Sequence, residues 1–178
     1  MNEFLYKLEK TVFGWFKNVP GLPEGARKWL ADNIWWIVIV GLVLTIISVL
    51  GSLAALSTRI SVLGTVAASY YVSSVTSSWL IVADIVALLF MIAEAILLFF
   101  AIQPLREKQK KGWVLLFATW LLGAVALVVN ALLGLSVLHF IVAILFGAIW
   151  LAISGYFLFE IHSQFAHVER SRGIKKSK

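Results

Sequence analysis

The chain has 178 residues, of which 61% are hydrophobic and 13% charged, with a mean hydropathy of +0.95 and a formal net charge of +6. That balance excludes an ordinary soluble domain and makes lipid the expected solvent. Cysteine is absent, which excludes disulfides, thiolate metal sites and cysteine nucleophiles.

Residues 1–33 read as cytoplasmic and interfacial. Leu5, Leu8, Val12, Trp15, Phe16 and Val19 recur at helical spacing with Lys7, Lys10 and Lys17 among the remaining positions, the pattern of an amphipathic helix lying in the membrane surface. Pro20 and Pro23 interrupt it, and Pro23 suits the start of a second short helix over 24–33. A secretory signal does not fit, because both the leading polar stretch and the apolar run after it are too long.

Span one is 34–56, about 34 Å as a helix and long enough for a ~30 Å hydrocarbon core. It carries Gly41, Thr45, Ser48, Ser52 and Ala55 on one stripe, which predicts a helix-packing seam. The segment 58–78, rich in Ser and Thr with Arg59 as its one charge, is less apolar than a span. Leu63, Val66, Ala67 and Tyr70 would give one face of a helix lying on or dipping into the surface. A fifth span there would put the termini on opposite sides and break the charge asymmetry described below.

Span two, 79–102, stops at Gln103-Pro104, where proline interrupts the helical hydrogen-bond ladder. Spans three and four, 113–133 and 137–159, are joined by Gly134-Leu135-Ser136 alone, so they form an antiparallel hairpin. Residues 160–178 are a basic tail. The predicted fold is thus all-α: an integral membrane four-helix bundle, 34–159, preceded by N-terminal cytoplasmic interfacial amphipathic helices.

Orientation comes from the basic residues. Fourteen of the fifteen Lys and Arg lie before span one, between spans two and three, or after span four, and Arg59 stands opposite them. By the positive-inside rule both termini are cytoplasmic, in the inner (plasma) membrane. The same surplus predicts attraction to anionic lipid headgroups rather than to nucleic acid. Trp35, Trp36, Trp79, Trp113 and Tyr156 fall near span ends, where amphipathic rings settle. Trp120 and Trp150 lie deeper and require indole partners if they face protein.

Asp84 and Glu94 are the sharpest candidates, because an ionisable group inside hydrocarbon is costly. They lie ten residues apart on one span, about 15 Å along it and about 80° around it, so they form no tight dyad. By depth, Asn130, His139 and Arg59 belong with Asp84, while Thr45, Thr119, Trp120, Trp150 and Ser154 belong with Glu94. Two readings stay open: a proton or cation path, or hydrogen-bonded clamps that hold helices in register. His162 and His167 lack metal-ligand spacing and a third donor, and no nucleotide-binding or hydrolase motif is present. The expectation is therefore no metal, no cofactor and no enzyme activity.

The run Gln103-Pro104-Leu105-Arg106-Glu107-Lys108-Gln109-Lys110-Lys111-Gly112-Trp113 followed by Leu115-Leu116-Phe117, together with Gly155-Tyr156-Phe157-Leu158-Phe159-Glu160-Ile161, resembles a group of small bacterial four-span membrane proteins with no established activity. The likeness covers roughly 34–165 and implies the topology alone. That group often closes its last helix on Gln-Ile-Arg, where this chain has Glu160-Ile161-His162. The leading functional expectation is a non-enzymatic scaffold or accessory subunit of a membrane assembly, whether with copies of itself or with another membrane protein. The alternative is a small oligomeric ion or proton-coupled transporter or channel that uses Asp84 and Glu94.

Overall fold

The computed structural model describes residues 11, 12, 14, 20–66, 74–134 and 136–165, excluding the side chains of 63–66, 74–78 and His139. Four long helices follow one another: α1 (Glu24–Val66), α2 (Ser74–Arg106), α3 (Lys110–Leu133) and α4 (Val137–Glu160). All four are long and apolar enough to cross a membrane. They pack in chain order, α1 on α2, α2 on α3 and, less extensively, α3 on α4.

α1 differs from the expectation at both ends. It starts after Pro23, whose carbonyl accepts the first helical bond from Arg27 N–H at 3.0 Å, and continues unbroken through the segment expected as a separate short helix. Nothing between Glu24 and Ile34 breaks the ladder, and the Asn33 amide donates back to Trp29 O at 2.9 Å instead of ending the helix. Beyond Leu56 the helix runs on to Val66 rather than turning onto the surface. Ser57 and Thr58 both donate to Ala54 O, and Ser61 to Ser57 O, so these hydroxyls are satisfied within the helix and do not compete with it. Residues 67–73 and 166–178 lie outside the description, as does most of the segment expected as an N-terminal amphipathic helix. Within it Thr11, Val12 and Gly14 are described, in helical conformation, and Val12 is buried in the core.

The core is not spread along the spans. It gathers at the end of the bundle that carries Arg27, Arg106, Lys110 and Glu160, called here the basic end. Ala31 and Val38 of α1, Leu98, Ala101 and Leu105 of α2, Trp113 and Phe117 of α3, and Leu158 and Phe159 of α4 are all buried there. Trp113 is fully buried. Its ring stacks on Phe117 at 5.4 Å and meets Phe159 and His162 edge-on at 5.8 and 4.5 Å. Toward the far end, large apolar side chains of α1 and α4 such as Leu44, Leu138, Phe146 and Trp150 are exposed.

The α2–α3 connection sets this geometry. α2 runs two residues past Pro104 and closes in a Schellman turn: Gln109 N–H donates to Pro104 O at 2.8 Å and Lys108 N–H to Leu105 O at 2.9 Å. Lys108 takes the left-handed position with φ 52°, which glycine usually fills. The turn brings Gly112 against the end of α2, so that a Cβ there would lie 2.6 Å from Leu105 N and 2.8 Å from Pro104 C. Backbone cannot yield as a side-chain tip can. At Gly41, by contrast, a Cβ would meet open space. Gly112→Ala is therefore expected to destabilise by about 1–3 kcal/mol and Gly41→Ala to leave stability unchanged or improve it, as read by thermal unfolding of the purified protein in detergent.

Candidate functional site

Among the described residues, polar contacts link the helices in four main arrangements, and three of them use residues outside the expected set. At the basic end Glu160, the last residue of α4, is the most enclosed carboxylate among the described ion pairs, with a side chain 14% exposed. It accepts from Arg27 Nε at 2.9 Å and from Leu22 N–H at 3.1 Å, while Arg27 Nη2 reaches Leu22 O at 3.3 Å. A carboxylate at a helix C-terminus faces the negative end of the macrodipole, so it needs this cation. The lack of a side chain at Gly21 leaves the space, since a Cβ there would fall 2.8 Å from Arg27 Nη2. Tyr156 adds a bond from its hydroxyl to Pro20 O at 2.9 Å. The chain entering α1 is thus held across the end of α4.

A second pair, Asp32 with Lys108, ties α1 to the α2–α3 turn. It supplies a partner for the lysine in the left-handed position, and the Arg106 guanidinium lies 5.5 Å from the Trp35 ring centroid beside it.

At the far end Asp84 meets Arg59, Oδ2 to Nε at 3.1 Å. The approach is an ion pair without hydrogen-bond alignment, since Oδ2 has no hydrogen-bond partner. Asp84 therefore joins α2 to the extended end of α1. Asn130 does not complete the group: its backbone oxygen accepts from Gly134 N–H at 3.1 Å, while its amide makes no hydrogen bond with another described residue. His139 sits in the first turn of α4, and its side chain lies outside the description.

The fourth arrangement is a set of indoles donating to backbone carbonyls of the neighbouring helix. Trp113 donates to Leu158 O at 2.9 Å, Trp79 to Leu133 O at 2.9 Å and Trp120 to Leu151 O at 3.0 Å. Leu158 and Leu133 belong to the last turns of α4 and α3, whose carbonyls have no partner within the helix. Trp150 is instead 70% exposed.

Glu94 is half-buried in the middle of α2 and makes no hydrogen bond or ion pair with another described residue. The hydroxyls expected at its level are occupied locally: Thr45 donates to Gly41 O, Thr119 to Leu115 O and Ser154 to Trp150 O. Of the expected packing stripe, Ser52 reaches α2 through Met91 Sδ at 3.8 Å, and Ser48 is exposed. Among the described residues no three of His, Asp and Glu converge as metal ligands.

No known protein family, curated protein or solved structure matches this chain, so no residue role is carried in from a relative.

Two measurements check these links. In a double-mutant cycle, Arg27→Ala and Glu160→Ala should show a coupling of about 1–2 kcal/mol in unfolding stability. Arg59→Met alone should lower the melting temperature by stranding Asp84 in apolar surroundings, and Arg59→Met combined with Asp84→Leu should recover most of that loss.

Proposed function

We propose that this chain is a multi-pass inner-membrane protein with both termini cytoplasmic, which acts as a non-enzymatic scaffold or accessory subunit. The observation that carries this reading is the position of its cross-helix ion pairs. Arg27–Glu160 and Asp32–Lys108 lie at or beyond the ends of the apolar runs, and Arg59–Asp84 lies within the outer turns of span two. There they link helices to one another, which supports a structural role for these charges. Broad apolar faces of α1 and α4 stay uncovered by the chain's own helices, as a subunit that packs against lipid and a partner requires. The basic surplus sets the orientation and draws the basic end toward anionic headgroups.

One observation favours a second reading, a small ion or proton-coupled transporter or channel. Glu94 is a mid-span carboxyl with no partner among the described residues, and such a group marks a conduction step by default. Proteoliposomes separate the two readings. The scaffold reading expects proton and potassium flux no greater than in protein-free vesicles, together with a native particle in mild detergent larger than one chain and its micelle. Flux that is lost in Glu94→Gln would replace it with the transporter reading, and a lone monomer without flux would remove both.

A further inference from the structure

Between α1 and α2, in the half of the bundle toward the basic end, runs an open groove of about 440 Å³ whose lining is wholly apolar. Leu42, Ile46 and Leu50 form one wall, and Ile92, Ala95 and Phe99 the other. Those stretches extend about 10–12 Å along their helices, against about 15 Å for the hydrocarbon depth of one leaflet. Phe99 and Phe100 also line a second cavity, of about 510 Å³, which opens at the α2–α3 turn beside Gln103, Pro104 and Lys111. Phe99 and Phe100 are common to both linings, so any path from the apolar groove to the polar mouth passes these two rings.

The cation at the mouth selects the occupant. Lys111 lines it without an ion pair to another described residue, and Lys110 adjoins it in sequence, while Lys108 is paired with Asp32 and Arg106 lies over the Trp35 ring. Glu107, the acid on this rim, accepts from the side-chain amides of Gln103 and Gln109, which turns its carboxylate toward donors. We infer that groove and mouth together form a binding site for one anionic glycerophospholipid, with an acyl chain between α1 and α2 and the phosphate at Lys111. The inference rests on the chain sitting in a bilayer and is independent of whether it acts as a scaffold or conducts.

A wide apolar surface takes up any lipid, so the test must resolve place and headgroup. Full-length protein is reconstituted in nanodiscs of phosphatidylcholine that carry a trace of phosphatidylglycerol with a photoactivatable diazirine on its acyl chain, and labelled peptides are mapped. The expected result is label concentrated on residues 42–50 and 92–100. Unlabelled phosphatidylglycerol should compete for it, and phosphatidylcholine and inorganic phosphate should not. Lys111→Ala should weaken that competition about fivefold, and Ala95→Trp should remove the label from the groove while both variants keep the wild-type melting behaviour. Label spread equally over the exposed α4 face around Phe146 and Trp150 would overturn the proposal in the wild-type protein alone, whether or not either variant folds. Equal competition by phosphatidylcholine, or by free phosphate, would overturn it too.

Discussion

A bilayer offers no water to backbone carbonyls, and the last four of every helix have no partner within it. Much of this fold follows from how those carbonyls are met. Trp113 stands in the first turn of α3, level with the closing turn of α4, and gives its indole N–H to Leu158 O. Trp79, near the start of α2, does the same for Leu133 O at the end of α3. In an antiparallel pair the beginning of one helix lies beside the end of its neighbour, so a tryptophan there closes the neighbour's last turn and packs its ring against it. At Trp113 the ring is also the centre of the buried core, where side chains from all four helices meet. Apolar burial gives helices in lipid little reason to associate, which leaves close packing and such hydrogen bonds to hold them.

The charged groups obey the same geometry. Each of the three described ion pairs joins different elements; the two at the basic end sit where headgroups and water reduce the penalty of burying charge, and Arg59–Asp84 lies deeper, within the outer turns of span two. The result is a basic end held by aromatic packing, two ion pairs and the Tyr156–Pro20 bond, and a far end where, among the described residues, Arg59–Asp84 and the Trp79 indole link helices. Glu94 stands apart from this scheme. It is a half-buried carboxyl without a described partner, and the packing of the described helices does not explain its position.

Four spans were legible in the sequence because length and hydropathy alone decide whether a helix can cross a membrane. Their buried faces were not. In lipid the outside of a helix is as apolar as the inside, so periodicity no longer distinguishes protein-facing from lipid-facing positions. The small-residue stripe on α1 shows the difficulty: Ser52 reaches α2, but a side chain added at Gly41 would meet open space. The helix breaks expected at Asn33 and after Leu56 are absent, since side chains there bond back to their own helix. Asp84 could be picked out as a buried acid, and its partner Arg59 was within reach as the one basic residue on that side. Arg27 and Glu160, 133 positions apart, carried a weaker signal: an acid at a helix C-terminus, where the dipole opposes it.

The contact between Gly112 and the backbone at Pro104–Leu105 makes the α2–α3 turn a mechanical stop as well as a connection. A helix advances about 100° per residue. One residue inserted in the first turn of α3, between Lys110 and Gly112, would rotate the rest of α3 by more than a quarter turn relative to its seat on α2, carrying Trp113 out of the core and its indole away from Leu158. This turn is consequently a place where chain length cannot drift without the loss of the basic-end core, and its seven residues from Arg106 to Gly112 act as a fixed measure of the angle between the two halves of the molecule.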